Sequence, residues 1–291
     1  MQGTLAKMKT HLAAPVQYQL PVGEQQVALN ELLGRKISLQ YQGRIFCIHC
    51  GRKTSKSFSQ GYCFPCFRGL AQCDTCIVKP ETCHFHEGTC REPDWAQQFC
   101  FQDHTVYLSN SSGIKVGITR NNQVPTRWID QGAIQALPVF QVGSRYHSGL
   151  VEVVLGKYVA DKTRWQAMLK NQVEPLDMRA QRDALLDQCR TEIGQLRQQL
   201  GADAIRELPE AEPVTIEYPV LEYPTKVVSH NLDKNPTMEG NPPIYDLYTH
   251  THAHTHTCTR TYAHTHTHTH ARPFFCSFPC NDKSLHHPKF F

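Results

Sequence analysis

The stretch His104–Ala133, HTVYLSNSSGIKVGITRNNQVPTRWIDQGA, decides how the chain is read. Val106-Tyr107-Leu108 is a short β-prone run, Asn110-Ser111-Ser112-Gly113 is turn-forming, and Ile114-Lys115-Val116-Gly117-Ile118-Thr119 is a second β-prone run. Two such runs around a polar turn predict a β-hairpin. Gly117 lets another backbone come close, and Arg120 and Arg127 follow just beyond. Guanidinium groups at the end of a hairpin suit a phosphate. Trp128 to Ala133 continues as a helix that stops near Gly132.

A carboxylate further on completes a candidate site. Glu152 interrupts the apolar run Leu150, Val151, Val153, Val154 and Leu155, which reads as a strand or a buried helix. A charge in such a run needs a cation partner, a metal or an exposed edge. His147, just before it, is the alternative acid or base.

These residues resemble the GIY-YIG nuclease superfamily. Thr105-Val106-Tyr107 stands where that family has its first motif, and Lys115-Val116-Gly117 where it has its second. Arg127 matches its helix arginine and Glu152 its metal-binding glutamate. The resemblance spans roughly residues 104 to 170 and departs at Lys115, where the family has a tyrosine. Residues 1 to 240 resemble a wider family of uncharacterised bacterial proteins that join a cysteine-rich segment to this core. The nuclease resemblance implies one Mg²⁺ on Glu152, with Arg127 and Arg120 neutralising phosphate oxygens. It also implies that Tyr107 orients or deprotonates a water and that Lys115 binds phosphate in place of the second phenol. Tyr107, Lys115, Arg120, Arg127 and Glu152 are therefore the candidate catalytic residues.

Cysteine is the strongest signal in the composition. The chain has 13, nine of them between Cys47 and Cys100. No apolar leader follows Met1, so the expected compartment is the reducing cytoplasm, where clustered CxxC pairs read as metal ligands and not disulfides. Cys47-x-x-Cys50 and Cys63-x-x-Cys66 are spaced to close a tetrahedron around a structural zinc. Cys73, Cys76, Cys83 and Cys90 are the candidate ligands of a second zinc. His84, His86, Cys100 and His104 compete for places in that set. Closed thiolate sites leave no room for a water, so the zincs are expected to brace the fold. Arg52, Lys53, Lys56 and Arg68, with Phe58, Tyr62 and Phe67 for stacking, also suit a nucleic-acid phosphate chain.

The expected fold class is α+β. A small N-terminal β and zinc-ribbon-like module leads into a GIY-YIG-like mixed sheet with helices. Residues 1–46 form a β-rich segment, with alternation in Val16–Leu20 and Lys36–Tyr41. Residues 47–103 form the zinc module, 104–172 the core, and 173–240 a long helix and an extended strap. Asp161 is a candidate N-cap for a helix through Trp165, and residues 174 to 200 have helical apolar spacing. In residues 241–291 the composition breaks into alternating His-Thr, which a CA dinucleotide repeat encodes. This tail reads as translated repeat and is expected to be disordered.

The net charge of +4 is compatible with nucleic acid without pointing to it. No window is apolar enough to span a membrane. Nucleotide-binding enzyme classes are disfavoured, because neither a GxxxxGK[ST] loop nor a GxGxxG stretch occurs. Three functions remain: a Mg²⁺-dependent nuclease on DNA or RNA, a non-catalytic zinc module that binds nucleic acid, and a protein-interaction scaffold.

Overall fold

The computed structural model describes residues 1–59, 61–159, 165–226, 230–240 and 272–277. Expected features outside them, including the Asp161 N-cap, lie beyond the described residues. The N-terminal part contributes β1 (Gln2–Leu5), β2 (Lys9–His11), β3 (Gln17–Val22), β4 (Gln25–Ala28) and β5 (Ile37–Tyr41). Alternation decides its faces: Tyr18, Leu20 and Val22 point inward from β3, and Ile37, Leu39 and Tyr41 from β5.

The cysteine-rich part has little regular structure. It comprises β6 (Ile45–Phe46), β7 (Lys53–Thr54), α1 (Phe64–Gly69), α2 (Thr75–Val78) and α3 (Pro93–Phe99). Then come β8 (His104–Asn110), β9 (Ile114–Arg120), α4 (Thr126–Asp130), β10 (Gln135–Val142) and α5 (Arg145–Leu155). The chain continues through α6 (Trp165–Leu169), α7 (Met178–Leu200), β11 (Ile205–Glu207), β12 (Val214–Thr215), β13 (Thr237–Gly240) and β14 (Arg272–Ser277). The fold is α+β, with several sheets and helices. Among the described residues no helix is long and apolar enough to cross a membrane.

Strand β8 is the partition of the molecule. It lies between β9 and β10 in an antiparallel sheet ordered β11-β10-β8-β9, with β12 also on β10. Every residue of β8 is buried, because both faces are covered. Tyr107 joins the core shared with Trp128, Ile129 and the N-terminal strands. Val106 and Leu108 join a second core with Leu137, Val151, Leu155 and the α7 stripe Met178, Leu185, Cys189 and Ile193. That stripe follows the 3.6-residue period, and Asp177 caps its start by accepting from the Arg179 and Ala180 N–H groups at 3.1 and 3.0 Å. Lys7 pairs with the buried Asp130 of α4, and Tyr218 Oη donates to the Ala133 carbonyl at 2.9 Å. Both contacts tie the N-terminal sheet side and the later strap to the hairpin core.

The sequence left the Glu152 segment open between strand and helix. It is helix α5, with Ser144 Oγ accepting from His147 N at 3.1 Å as its cap. The strap after Leu208 contributes the two-residue β12. Within the tail, residues 272–277, RPFFCS, pair as β14 with β1 and β5. The rest of the His-Thr tail lies outside the described residues.

Gly117 faces Tyr107 across the hairpin. A Cβ built there would sit 2.5 Å from Tyr107 Cζ and 2.6 Å from its Oη. The ring has nowhere to go, because it is fully buried against Trp128, with ring centroids 5.9 Å apart. Gly117→Ala is expected to destabilise by about 1–3 kcal/mol through overpacking. A lowered urea midpoint at unchanged m-value would show it; an unchanged midpoint would mean the ring moves freely.

His104 at the start of β8 is 1% exposed and donates through Nδ1 to the Gln102 carbonyl at 2.7 Å. Its Nε2 has no partner among the described residues. Burial first, with Arg145 and Arg120 adding to it, holds the imidazole neutral, its pKa lowered to about 4. As pH falls from about 6.5 towards 4, the unfolded chain takes up a proton that the folded chain refuses. Stability is then expected to drop by up to about 3 kcal/mol over that window. Urea titrations at pH 7 and pH 5 should show a smaller pH difference for His104→Gln than for the wild type.

Candidate functional site

Two groups of chemically active side chains stand out, one of thiols and one of guanidinium groups. The thiol group is built by two tight turns. Cys47 follows β6, and the turn closes through Gly51 N donating to the Cys47 carbonyl at 2.9 Å. Gly51 adopts φ +67°, which a side chain would resist. Cys63 precedes α1, whose first turn carries Cys66 and is fixed by Phe67 N donating to the Cys63 carbonyl at 2.9 Å. The ligand atoms of Cys47, Cys50, Cys63 and Cys66 all lie within 4.8 Å of one another. Cys50 and Cys63 sulfurs are 3.7 Å apart. A tetrahedron with Zn–S bonds of about 2.3 Å places sulfurs about 3.8 Å apart, so the spacing is that of ligands around one ion.

The electrostatics agree with a thiolate site. Burial alone would raise the Cys47 thiol, but hydrogen bonds from the backbone of Cys50, Cys63 and His49 more than reverse this and hold it at about 6. Cys66 is pushed up instead, by burial and then by the thiols of Cys63, Cys50 and Cys47. Four sulfurs crowded without a cation cannot all ionise; a zinc ion removes that conflict. The residues therefore fit a structural zinc.

Two sequence expectations change here. Tyr62 is not available for stacking: it is 2% exposed, packs with Cys47 and Cys63, and donates to Gln72 Oε1 at 2.7 Å. Phe58, Phe64 and Phe67 form the aromatic patch, with Phe64 exposed and Arg68 over its ring. Nor is Cys73 placed with Cys76, Cys83 and Cys90. The chain breaks at Asp74 between a 3-10 turn at Ala71–Cys73 and α2. Cys73 packs into the small core beside Cys47 and Cys63, whereas Cys76 lies with Asp74 and His84.

The guanidinium group gathers around β8. Tyr107 comes from β8, Arg127 from α4 and Glu152 from α5. The Tyr107 phenol is raised to about 12, by burial first; Arg127 opposes the rise through its charge and a hydrogen bond, and Glu152 and Asp130 add to it. Its hydroxyl donates to Gln131 Oε1 at 2.6 Å. Tyr107 is thus a neutral phenol with its proton committed, holding the Arg127 guanidinium from one side. Arg145 feels both Arg120 and Arg127. Arg120 also lies over the Phe99 ring at 5.3 Å. Arg120, Arg127, Lys115 and Glu152 are half-buried, so the polar ends sit at a boundary and not in the core. Lys115 pairs with Ser109 and shares the strand face of Gly117, two residues towards the turn. His147, the alternative acid or base, has its Nδ1 buried without a partner among the described residues, and burial lowers its pKa. Arg145 was not singled out from the sequence as a site residue. Its signal there was weak, an arginine opening a helix just before the glutamate segment.

A family model described as protein of unknown function (DUF2797) matches residues 34–242. The chain belongs to that family. The match takes in both cysteine turns and the hairpin, and stops before the alternating His-Thr run. No curated protein matches the chain, and no solved structure does.

Proposed function

We propose that this member of the family binds nucleic acid and cleaves its phosphodiester backbone in a Mg²⁺-dependent reaction at Tyr107, Arg127 and Glu152. One observation carries the reading. Arg127 and Glu152, half-buried and carried on two helices far apart in sequence, both act on the fully buried Tyr107 phenol of the strand, and Arg127 hydrogen-bonds it. Arg145 feels the charges of both Arg120 and Arg127, a basic grouping that favours a phosphate.

Glu152 offers carboxylate oxygen, and one such ligand suits a cation that keeps most of its waters. Magnesium, when bound, would withdraw charge from the phosphate and the leaving oxygen. Arg127 and Arg120 would hold the non-bridging oxygens, where negative charge grows. Tyr107 would fix the Arg127 fork through its hydroxyl and leave water activation to another group. Lys115 would add a point charge to the phosphate next along the strand. In the balanced step, water oxygen bonds to phosphorus, the P–O bond to the leaving oxygen breaks, and a proton ends on that oxygen. The first zinc turn and the patch of Phe58, Phe64, Arg52 and Lys53 would extend the contact to neighbouring nucleotides.

The second reading, binding without cleavage, is favoured by one specific feature, the lysine at position 115. The test is a panel of single- and double-stranded DNA and RNA incubated with zinc-loaded protein, with and without Mg²⁺. Cleavage that needs Mg²⁺ supports the proposal. Salt-dependent binding without cleavage selects the second reading, and absence of any binding removes both.

A further inference from the structure

We infer that Cys76, Cys83, Cys90 and Cys100 form a second four-thiolate metal centre, of the zinc class, that clamps the cysteine-rich segment onto helix α5. The inference does not depend on the nuclease reading. Four separate pieces of chain carry these residues, and their sulfurs are not all within 4.8 Å of one another. Cys76 lies in α2, Cys83 follows a 3-10 turn at Pro80–Thr82, Cys90 follows the loop through Gly88, and Cys100 ends α3.

Contacts between their neighbours draw the four together. The Arg145 backbone N–H donates to the Cys100 carbonyl at 2.7 Å, and its Nη2 donates to the Ile77 carbonyl at 2.6 Å. One arginine therefore joins the residue after Cys76 to Cys100. The rings of Phe85 and Phe101 meet edge to face at 4.6 Å, which brings the loop after Cys83 beside the end of α3. Arg91 Nε pairs with Asp74 at 2.8 Å, and His84 Nε2 reaches the same carboxylate oxygen at 3.5 Å. Those two residues directly follow Cys90 and Cys83.

Asp74, Cys76 and His84 also offer ligand atoms within 4.8 Å of one another. Asp74 is nonetheless already spent. One of its oxygens accepts the Thr75 N–H at 2.6 Å as the cap of α2, and the other holds Arg91. His84 uses Nδ1 on Thr89 Oγ1 at 2.7 Å. We therefore place Asp74 outside the ligand set, as the group that orients the residues flanking Cys83 and Cys90. The sulfurs would close on the ion when it binds.

Arg145 supplies independent support. Its Nε is buried without a hydrogen-bond partner among the described residues. A guanidinium N–H in that position is costly unless negative charge lies close by. A zinc ion with four thiolates carries a net charge of −2 and meets that need. The same region is pressed against α5: a Cβ on Gly149 would lie 2.6 Å from Glu81 N and from Pro80 Cβ. The centre thus sits where the cysteine-rich segment touches the helix that carries Glu152.

The experiment is metal stoichiometry on the full chain produced in zinc-supplemented medium, paired with Co²⁺ replacement. Two zincs per chain are expected, and both Co²⁺ ions should show the charge-transfer bands of four-thiolate tetrahedral sites. Cys83→Ser, Cys90→Ser and Cys100→Ser should each lose one equivalent, whereas Cys73→Ser and Asp74→Asn keep two. One zinc in the wild type would overturn the inference, as would loss of an equivalent in Cys73→Ser or retention of both in Cys100→Ser. The wild-type Co²⁺ spectrum decides the matter where a serine variant fails to fold: a single tetrahedral-thiolate equivalent sinks it.

Discussion

Cys50→Ser and Cys66→Ser are each expected to release one zinc per chain and to unfold the stretch between Ile45 and Cys73. The buried core there consists of Cys47, Tyr62, Cys63, Leu70 and Cys73, and three of those five are cysteines. Regular structure among the described residues is limited to the two-residue strands β6 and β7, one short helix and a 3-10 turn. So little apolar surface leaves the ordering of the segment dependent on its metal. A structural zinc contributes folding free energy outright. Removing one thiolate breaks the tetrahedron and leaves three crowded sulfurs behind. Metal analysis should fall by one equivalent, and limited proteolysis should open the loop between Gly51 and Phe58. Trp128, 3% exposed in another core, should keep its near-ultraviolet signal. Full zinc content with unchanged proteolysis in both variants would show that the turns stand without metal.

The parts of this molecule visible in the sequence were those set by local periodicity or by spacing. Alternation marked β3 and β5, the two β-prone runs around Asn110–Gly113 marked the hairpin, and the CxxC pairs marked the first centre. Each depends on residues a few positions apart. What stayed hidden depends on distant chain. The hairpin strands extend to seven residues each because β10 completes the sheet and both faces of β8 are covered, so His104 and Thr105 are buried despite their polarity. Helix and strand could not be told apart for Leu150–Leu155, since a short apolar run fits either when buried on most sides. The split of Cys73 from Cys76 is another such case. A CxxC spacing normally turns both sulfurs to one ion, and here the cap at Asp74 interposes a break between them. Strand β14, far along the chain, takes a place between β5 and β1 that no local pattern announces. Arg145 went unnoticed because only the folded chain puts its guanidinium between α2 and the end of α3.

Glu152→Gln is expected to lower the Mg²⁺-dependent cleavage rate by a thousandfold or more, with affinity for nucleic acid unchanged or slightly increased. The amide keeps the shape of the side chain but offers a metal far weaker oxygen, and it removes a negative charge that acts on Tyr107. Arg127→Lys should cost roughly a hundredfold, because an ammonium cannot hold two phosphate oxygens as a fork does. Tyr107→Phe is the informative control. If the phenol only positions Arg127, losing its hydroxyl should slow cleavage by about tenfold and leave the shape of the pH profile alone. It should also cost about 1–3 kcal/mol of stability, because Gln131 Oε1 loses its 2.6 Å donor beside a buried ring. A fully buried hydroxyl held at about 12 and already donating cannot take a proton from water near neutral pH. Tyr107→Phe as severe as Glu152→Gln, together with loss of a limb in the pH profile, would mean the ring leaves its pocket during reaction and that the phenol itself carries the proton.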